Sequence, residues 1–279
     1  MFSTTAPITA APATTTAMNT VIDLWLVEYR QIDDSQLVQR LEQLLNAEEQ
    51  QRRARFLHAE DRHRFLFTRA TVRTVLSRYA AVEPQDWVFT ANAHGRPAIA
   101  NLHPQAAGLC FNLSHTRGLI VLGVCRDREL GVDVENIRER TPTPGIAERF
   151  FAPQESAALA SLPEERRHER FFAYWTLKEA YIKARGRGMS IPLDRFCFTF
   201  AEESSIHLHI DADQNDNAER WQFWQFRPSD EFLLSVCAER PDALPPSLRF
   251  HRLVPTVSEE VLHIAPCAAS GNGVYPSPR

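Results

Sequence analysis

The sequence predicts an α+β protein, α/β sandwich-like, built from two related halves if an internal echo reflects duplication rather than the recurrence of aromatic and arginine residues on amphipathic helices. Three observations lead there. Short segments of period-two apolar alternation are interleaved with longer amphipathic stretches of helical period. One run of sequence is echoed later in the chain: RFLHAED with RFLFTRATVR, around Arg55 and Arg64, by RFFAPQE with RFFAYWTLKE, around Arg149 and Arg170, and LIVLGVCRDR by FLLSVCAER. Finally, 279 residues, 44% of them hydrophobic, suffice for one large domain or two of ordinary size.

In chain order, residues 1–20 contain no Lys or Arg, so they lack the marks of a secretory signal or transit peptide and read as a disordered leader. Met18, just before the first alternating segment, offers an alternative start. VIDLWLVEY is a strand; DDSQLVQRLEQLLNAEEQQRRARFL is a single helix with Asp34 or Ser35 as its cap. HAEDRHRFLFTRATVRTVLSRYA is a second helix, with Phe65, Ala70, Val72, Leu76 and Tyr79 near one face. WVFTANAHGRPAIA runs from a strand into a Gly-Arg-Pro turn, and LCFNLSHTRGLIVLGVCR gives two strands around a polar loop. LGVDVENI is a further strand, and a Pro-rich stretch then leads into helix up to about Gly186. FCFTF, SIHLHI, WQFWQF and FLLSVCAE are strands separated by polar turns. The expected division is a leader 1–20, an N-terminal subdomain 21–128, a C-terminal subdomain 129–255 and a poorly ordered tail 256–279.

A net charge of -4 argues against bulk attraction to nucleic acid or an anionic membrane, so any basic site must be local. The longest apolar run, GLIVLGVC, is far short of the ~20 residues of a membrane helix. Five widely spaced cysteines without a CxxC pair suggest neither a disulfide framework nor a zinc knuckle and fit a reducing cytoplasm.

The chemistry concentrates in a few places. In GVDVEN, Asp133 and Glu135 stand two apart on a strand and project from one face, as a divalent cation would require; a solvated acidic edge has the same spacing. Glu179, with Lys178 beside it and Lys183 one turn on, could be a plain ion pair or a third carboxylate with a phosphate-binding lysine. Ser114 and His115 in FNLSHT can donate to phosphate oxygens, and HGRPAI offers close backbone approach at Gly95 beside Arg96. Arg52, Arg53, Arg55, Arg62 and Arg64 form a basic cluster that reads equally as a solvated face. His207 and His209 share a strand face without a third ligand and read as structural. There is no nucleophile elbow, Walker loop or dinucleotide fingerprint.

In their order and separations, HGRPAI, FNLSHT, GVDVEN and FFAYWTLKEAYIKARGRGMSIPL resemble the 4'-phosphopantetheinyl transferases of the two-domain, surfactin-synthetase-activating type, over roughly residues 21–240. The resemblance implies a pseudo-twofold pair of subdomains, each a small, mainly antiparallel sheet packed with a long helix, and coenzyme A in the cleft between them. It implies transfer of the phosphopantetheine arm to a serine of an acyl or peptidyl carrier protein of fatty-acid, polyketide or non-ribosomal peptide synthesis, releasing adenosine 3',5'-bisphosphate. It assigns Asp133, Glu135 and Glu179 to Mg²⁺. Coenzyme A contacts fall to Arg52, to His94, Gly95, Arg96 and Pro97 at the adenine end, to Asn112, Ser114 and His115, and to Lys178 and Lys183. Glu49 departs from a basic family position, for which Arg53 would compensate. Glu179, Lys183 and His115 are the expected catalytic groups, and a carrier dock is expected within 147–187, with Phe150, Phe151 and Arg166 as contacts. The protein is expected to be monomeric. Rival readings are a Mg²⁺-dependent pyrophosphohydrolase of coenzyme A or nucleotides, and a non-catalytic carrier-binding module.

Overall fold

A computed structural model describes residues 21–143, 145–240 and 246–271. The expected leader and residues 272–279 lie outside them. The elements are β1 (Val21–Val27), α1 (Ser35–Glu42), α2 (Ala47–Ala54), α3 (Ala59–Leu76), β2 (Phe89–Ala91), β3 (Pro97–Ile99), β4 (Leu109–His115), β5 (Ile120–Arg126) and β6 (Leu130–Asn136). They continue with α4 (Ile146–Phe150), α5 (Pro153–Ser161), α6 (Glu164–Arg185), β7 (Phe196–Phe200), β8 (Ile206–Ile210), β9 (Trp221–Ser229), β10 (Phe232–Glu239), β11 (Ser247–Val254), β12 (Ser258–Leu262) and β13 (Pro266–Ala269).

The first long helix of the sequence reading is in fact two. Asp34 caps α1 by accepting from the amides of Gln36 and Leu37, and a new start follows at Asn46. There the Asn46 side chain takes the Glu49 amide while the Glu49 carboxylate takes the Asn46 amide, satisfying two donors that α2 would otherwise leave unpaired. The helical stretch after the Pro-rich entry likewise divides into α4, α5 and α6. Pro153 opens α5 and Pro163 precedes α6, since proline fits a first turn and cannot continue the helix before it.

Two sheets carry the fold: β12-β11-β1-β5-β4 and β13-β9-β10-β6, with β2-β3 and β7-β8 as separate hairpins. Strand alternation explains the layers. On β1, Trp25 and Val27 point toward α3, whereas Ile22, Leu24 and Leu26 point into a core between the sheets. On β10, Leu234, Val236 and Ala238 enter that same inter-sheet core, and Leu233 and Cys237 pack under α6. The order is therefore helix, sheet, sheet, helix, and each fully buried Leu, Val or Phe contributes about 1.5–3 kcal/mol.

The tail expected to be poorly ordered from 256 instead contributes β12 and β13, which close one edge of each sheet. Its periodicity is uninformative because β12 is an edge strand exposed along most of its length. β11, assigned by sequence to the C-terminal subdomain, runs parallel to β1 in the sheet built mainly from the N-terminal part. Among the described residues no helix is long and apolar enough to cross a membrane.

Candidate active site

The site lies where the edge strand of one sheet meets the edge strand of the other. β6 pairs with β10 on one side only. On its other side, the amides of Val132, Val134 and Asn136 donate to Asn112 Oδ1 (2.8 Å), Ser114 Oγ (3.3 Å) and Thr116 Oγ1 (3.1 Å) of the β4 segment. Three side chains at alternate positions thus do the work of a neighbouring strand, which explains the polar alternation within FNLSHT. Asn112, Ser114 and Thr116 are all buried.

This stitching presents Asp133 and Glu135 to α6, while Val132 and Val134 face the inter-sheet core. α6 crosses β6 at close range because residue 131 is glycine: a Cβ there would stand 1.9 Å from the carbonyl oxygen of Ala180. The approach lets Lys183 Nζ reach Asp133 Oδ1 at 2.7 Å, Ser114 Oγ at 3.0 Å and the Val132 carbonyl at 3.1 Å. Ser114 Oγ itself donates to Asp133 Oδ1 at 3.0 Å.

Glu179, one turn before Lys183, is half-buried. Burial and the negative charge of Asp133 push its carboxyl up to about 7; Lys183 opposes the rise and Glu135 adds to it. Burial, with Asp133 again, raises Glu135, and Arg140 pulls the other way. His115 sits at the open end of β4, where desolvation of the ring, followed by the Arg64 and Lys183 cations, lowers the pKa of its imidazole. Asp133 thus raises both of its neighbouring carboxylates. Among the described residues no three His, Cys, Asp or Glu side chains converge as metal ligands do; Lys183 sits on Asp133 and Arg140 on Glu135 instead. The donor set is nonetheless suited to a hard divalent cation: all oxygen, mutually repulsive, with Asp133 Oδ2 buried and without a hydrogen-bond partner.

Beside these groups opens a cleft of about 270 Å³, lined by His94, Arg96, Pro97, Asn112, Glu179 and Lys183 among others. Its outer wall is the β2-β3 turn. Asn92 organises that turn, its Oδ1 accepting from the amides of His94 and Arg96 and its Nδ2 donating to the Gly186 carbonyl, with Gly95 at φ +82°. The Arg96 guanidinium is spent within the protein, on Glu129 and the carbonyls of Ala184 and Leu130, so it clamps the turn to α6. A larger cavity, about 490 Å³, lies between α6 and β9 and contains none of the residues expected to hold coenzyme A or metal; on its rim Arg166, an expected carrier contact, pairs with Glu203, and Arg227 with Glu169.

The expected residues divide between the cleft and the rest of the fold. Lys178 is not at the cleft. It is fully buried on another face of α6, bonded to Glu155 at 2.7 Å and to the carbonyls of Leu193 and Phe196, and burial lowers its pKa. Glu49 is neither a phosphate-binding position nor a defect: it is buried, caps α2 and pairs with Arg69 and Arg73. Arg53 is engaged by Glu42 and the Arg62 carbonyl, and Arg52 is exposed with its guanidinium over Phe65; neither lines the cleft. Phe151 is core, stacked on Phe171, whereas Phe150 is 37% exposed. His207 and His209 bond to Ser205 and Thr199. The sequence reading missed Asn92, Thr116 and Arg140; only the polar alternation at 112, 114 and 116 carried a signal.

Residues 129–237 match the family described as the 4'-phosphopantetheinyl transferase superfamily, and residues 33–126 match 4'-phosphopantetheinyl transferase, N-terminal. The chain is 37% identical over 226 residues to the 4'-phosphopantetheinyl transferase HetI of Nostoc sp., covering 81% of this chain and 90% of that protein. It is 33% identical over 203 residues to the 4'-phosphopantetheinyl transferase ffp of Bacillus subtilis, covering 73% and 86%. With Sfp of Bacillus subtilis strain 168 the figures are 28% over 204 residues, 73% and 86%. The matched regions span both sheets and include the stitched strand pair, Asp133, Glu135, Glu179 and Lys183, and the chain belongs to the 4'-phosphopantetheinyl transferase family.

Proposed function

We propose that the cleft beside Lys183 binds coenzyme A and passes its phosphopantetheine arm to a serine of an acyl or peptidyl carrier protein. The observation that carries this reading is the meeting of Lys183 with Asp133, next to the half-buried Glu179 carboxylate, on the wall of that cleft.

In the reaction a bond forms between the serine Oγ and the β-phosphorus of coenzyme A. The bond from that phosphorus to the bridging oxygen breaks, and adenosine 3',5'-bisphosphate leaves. Glu179, on the wall of the cleft, takes the serine proton directly or through water. Lys183 offers its ammonium to the pyrophosphate oxygens, and the His115 ring N–H can donate a hydrogen bond there. Asp133, Glu135 and Glu179 would hold Mg²⁺, whose chemistry here is to neutralise charge on the pyrophosphate as the bond breaks. Asn112, Ser114 and Thr116 keep β6 at a fixed distance from β4 and so orient the two carboxylates. The helix, sheet, sheet, helix order supports reading the chain as two related halves with the substrate at their junction. We place the protein in the cytoplasm as a monomer.

The test is mass spectrometry of an apo carrier protein incubated with the enzyme, coenzyme A and Mg²⁺. A mass gain of one phosphopantetheine is expected, and an unchanged mass at micromolar enzyme refutes the reading. Asp133→Ala should abolish transfer while leaving the circular dichroism spectrum intact; full activity in that variant removes Asp133 from the metal set.

A further inference from the structure

Arg140 lies in the turn after β6, on none of the motifs that carry the reaction, yet its guanidinium donates to Glu135 Oε1. The turn is built to aim it there. The Arg140 amide bonds to the Asn136 carbonyl at 3.1 Å, the Asn136 side chain accepts from the amides of Arg138 and Glu139, and the His168 ring meets the Arg140 carbonyl at 3.0 Å. The neighbouring Glu139 is occupied by Arg30 and Arg117. The two partners differ in exposure: the Glu135 side chain is 8% exposed and the Arg140 side chain 54%. The arginine can therefore swing into solvent, whereas the carboxylate cannot leave the site.

The other Glu135 oxygen, Oε2, accepts from Thr116 Oγ1 at 3.5 Å. Both oxygens are thus taken by the chain, in contrast to Asp133, whose Oδ2 has no partner. We infer that Arg140 and a divalent cation compete for Glu135, so that Arg140 acts as a built-in counter-ion that sets how tightly the carboxylate set takes a metal. The inference rests on the metal reading given above. Its physical basis is that Asp133 and Glu135 repel one another, and a positive charge is needed beside them from one source or the other. Lys183 already serves Asp133, and Arg140 serves Glu135.

The experiment is titration of the full chain with Mn²⁺ alone, following the unbound ion by electron paramagnetic resonance, for the wild type, Arg140→Ala, Arg140→Lys and Asp133→Ala. Arg140→Ala should bind Mn²⁺ about fivefold more tightly, the upper end for loss of a partly exposed ion pair, and Arg140→Lys should stay near the wild type. Equal affinity in the wild type and Arg140→Ala, with binding lost in Asp133→Ala, overturns the role of Arg140 and leaves the metal reading standing. Binding that survives Asp133→Ala unchanged, or no binding by any of the four proteins, overturns the metal reading and the inference with it.

Discussion

Replacing Glu179 by Gln removes a charge that the fold resists. In the folded protein the Glu179 carboxyl titrates at about 7 against an ordinary value of 4.5, because it is half-buried and faces Asp133 and Glu135. The folded state therefore holds this proton in a window where the unfolded chain has released it. Stability contributed by Glu179 falls as pH rises from about 4.5 to 7 and stays low above it. At about 1.4 kcal/mol per pH unit, the gap caps the effect at ~3 kcal/mol, and residual solvent contact brings it to ~2. Glu179→Gln cannot ionise and escapes the loss. Urea denaturation in metal-free buffer at pH 5 and pH 8 should show a stability advantage of the variant over the wild type that is about 2 kcal/mol larger at pH 8. Carrier modification should be lost in the same variant. Parallel stability curves across this range would refute the account of Glu179 as a carboxyl raised by burial and repulsion.

Three further outcomes follow from the corrected residues and the exposed phenylalanine. Lys178→Met leaves the Glu155 carboxylate buried without its counter-ion and should cost about 3–5 kcal/mol in urea unfolding, partly recovered by adding Glu155→Gln, with KM for coenzyme A unchanged; a raised KM without destabilisation would return Lys178 to the cleft. Glu49→Gln should cost about 3 kcal/mol, because the Arg73 side chain is fully buried and loses its carboxylate, and should leave coenzyme A affinity as it was by calorimetry. Phe150→Ser should raise KM for the carrier protein several-fold, with unchanged Tm and unchanged KM for coenzyme A; an effect on coenzyme A instead would place Phe150 outside the carrier dock.

What the sequence by itself determined is local. Alternation placed Asp133 and Glu135 on one face of a strand, helical spacing placed Glu179 and Lys183 one turn apart, and the pair Asp34 and Ser35 announced a helix cap, a role the structure gives to Asp34. The order of the motifs identified the family. A period says which way a side chain points, however, and not what it meets there. Lys178 and Glu179 are adjacent in sequence, but about 100° apart around α6, so one enters the core against Glu155 and the other the cleft. The helix starting at Asn46 was hidden within a continuous amphipathic run. Only the tertiary structure decided that Asn112, Ser114 and Thr116 satisfy the amides of β6, that Glu49 belongs to Arg69 and Arg73, that β11 returns to lie beside β1, and that Arg140 reaches Glu135. Most of these contacts join residues far apart in the chain, and the last depends on how one turn folds back. They exist because a buried polar group must find a partner, and packing, rather than sequence spacing, decides which partner is within reach.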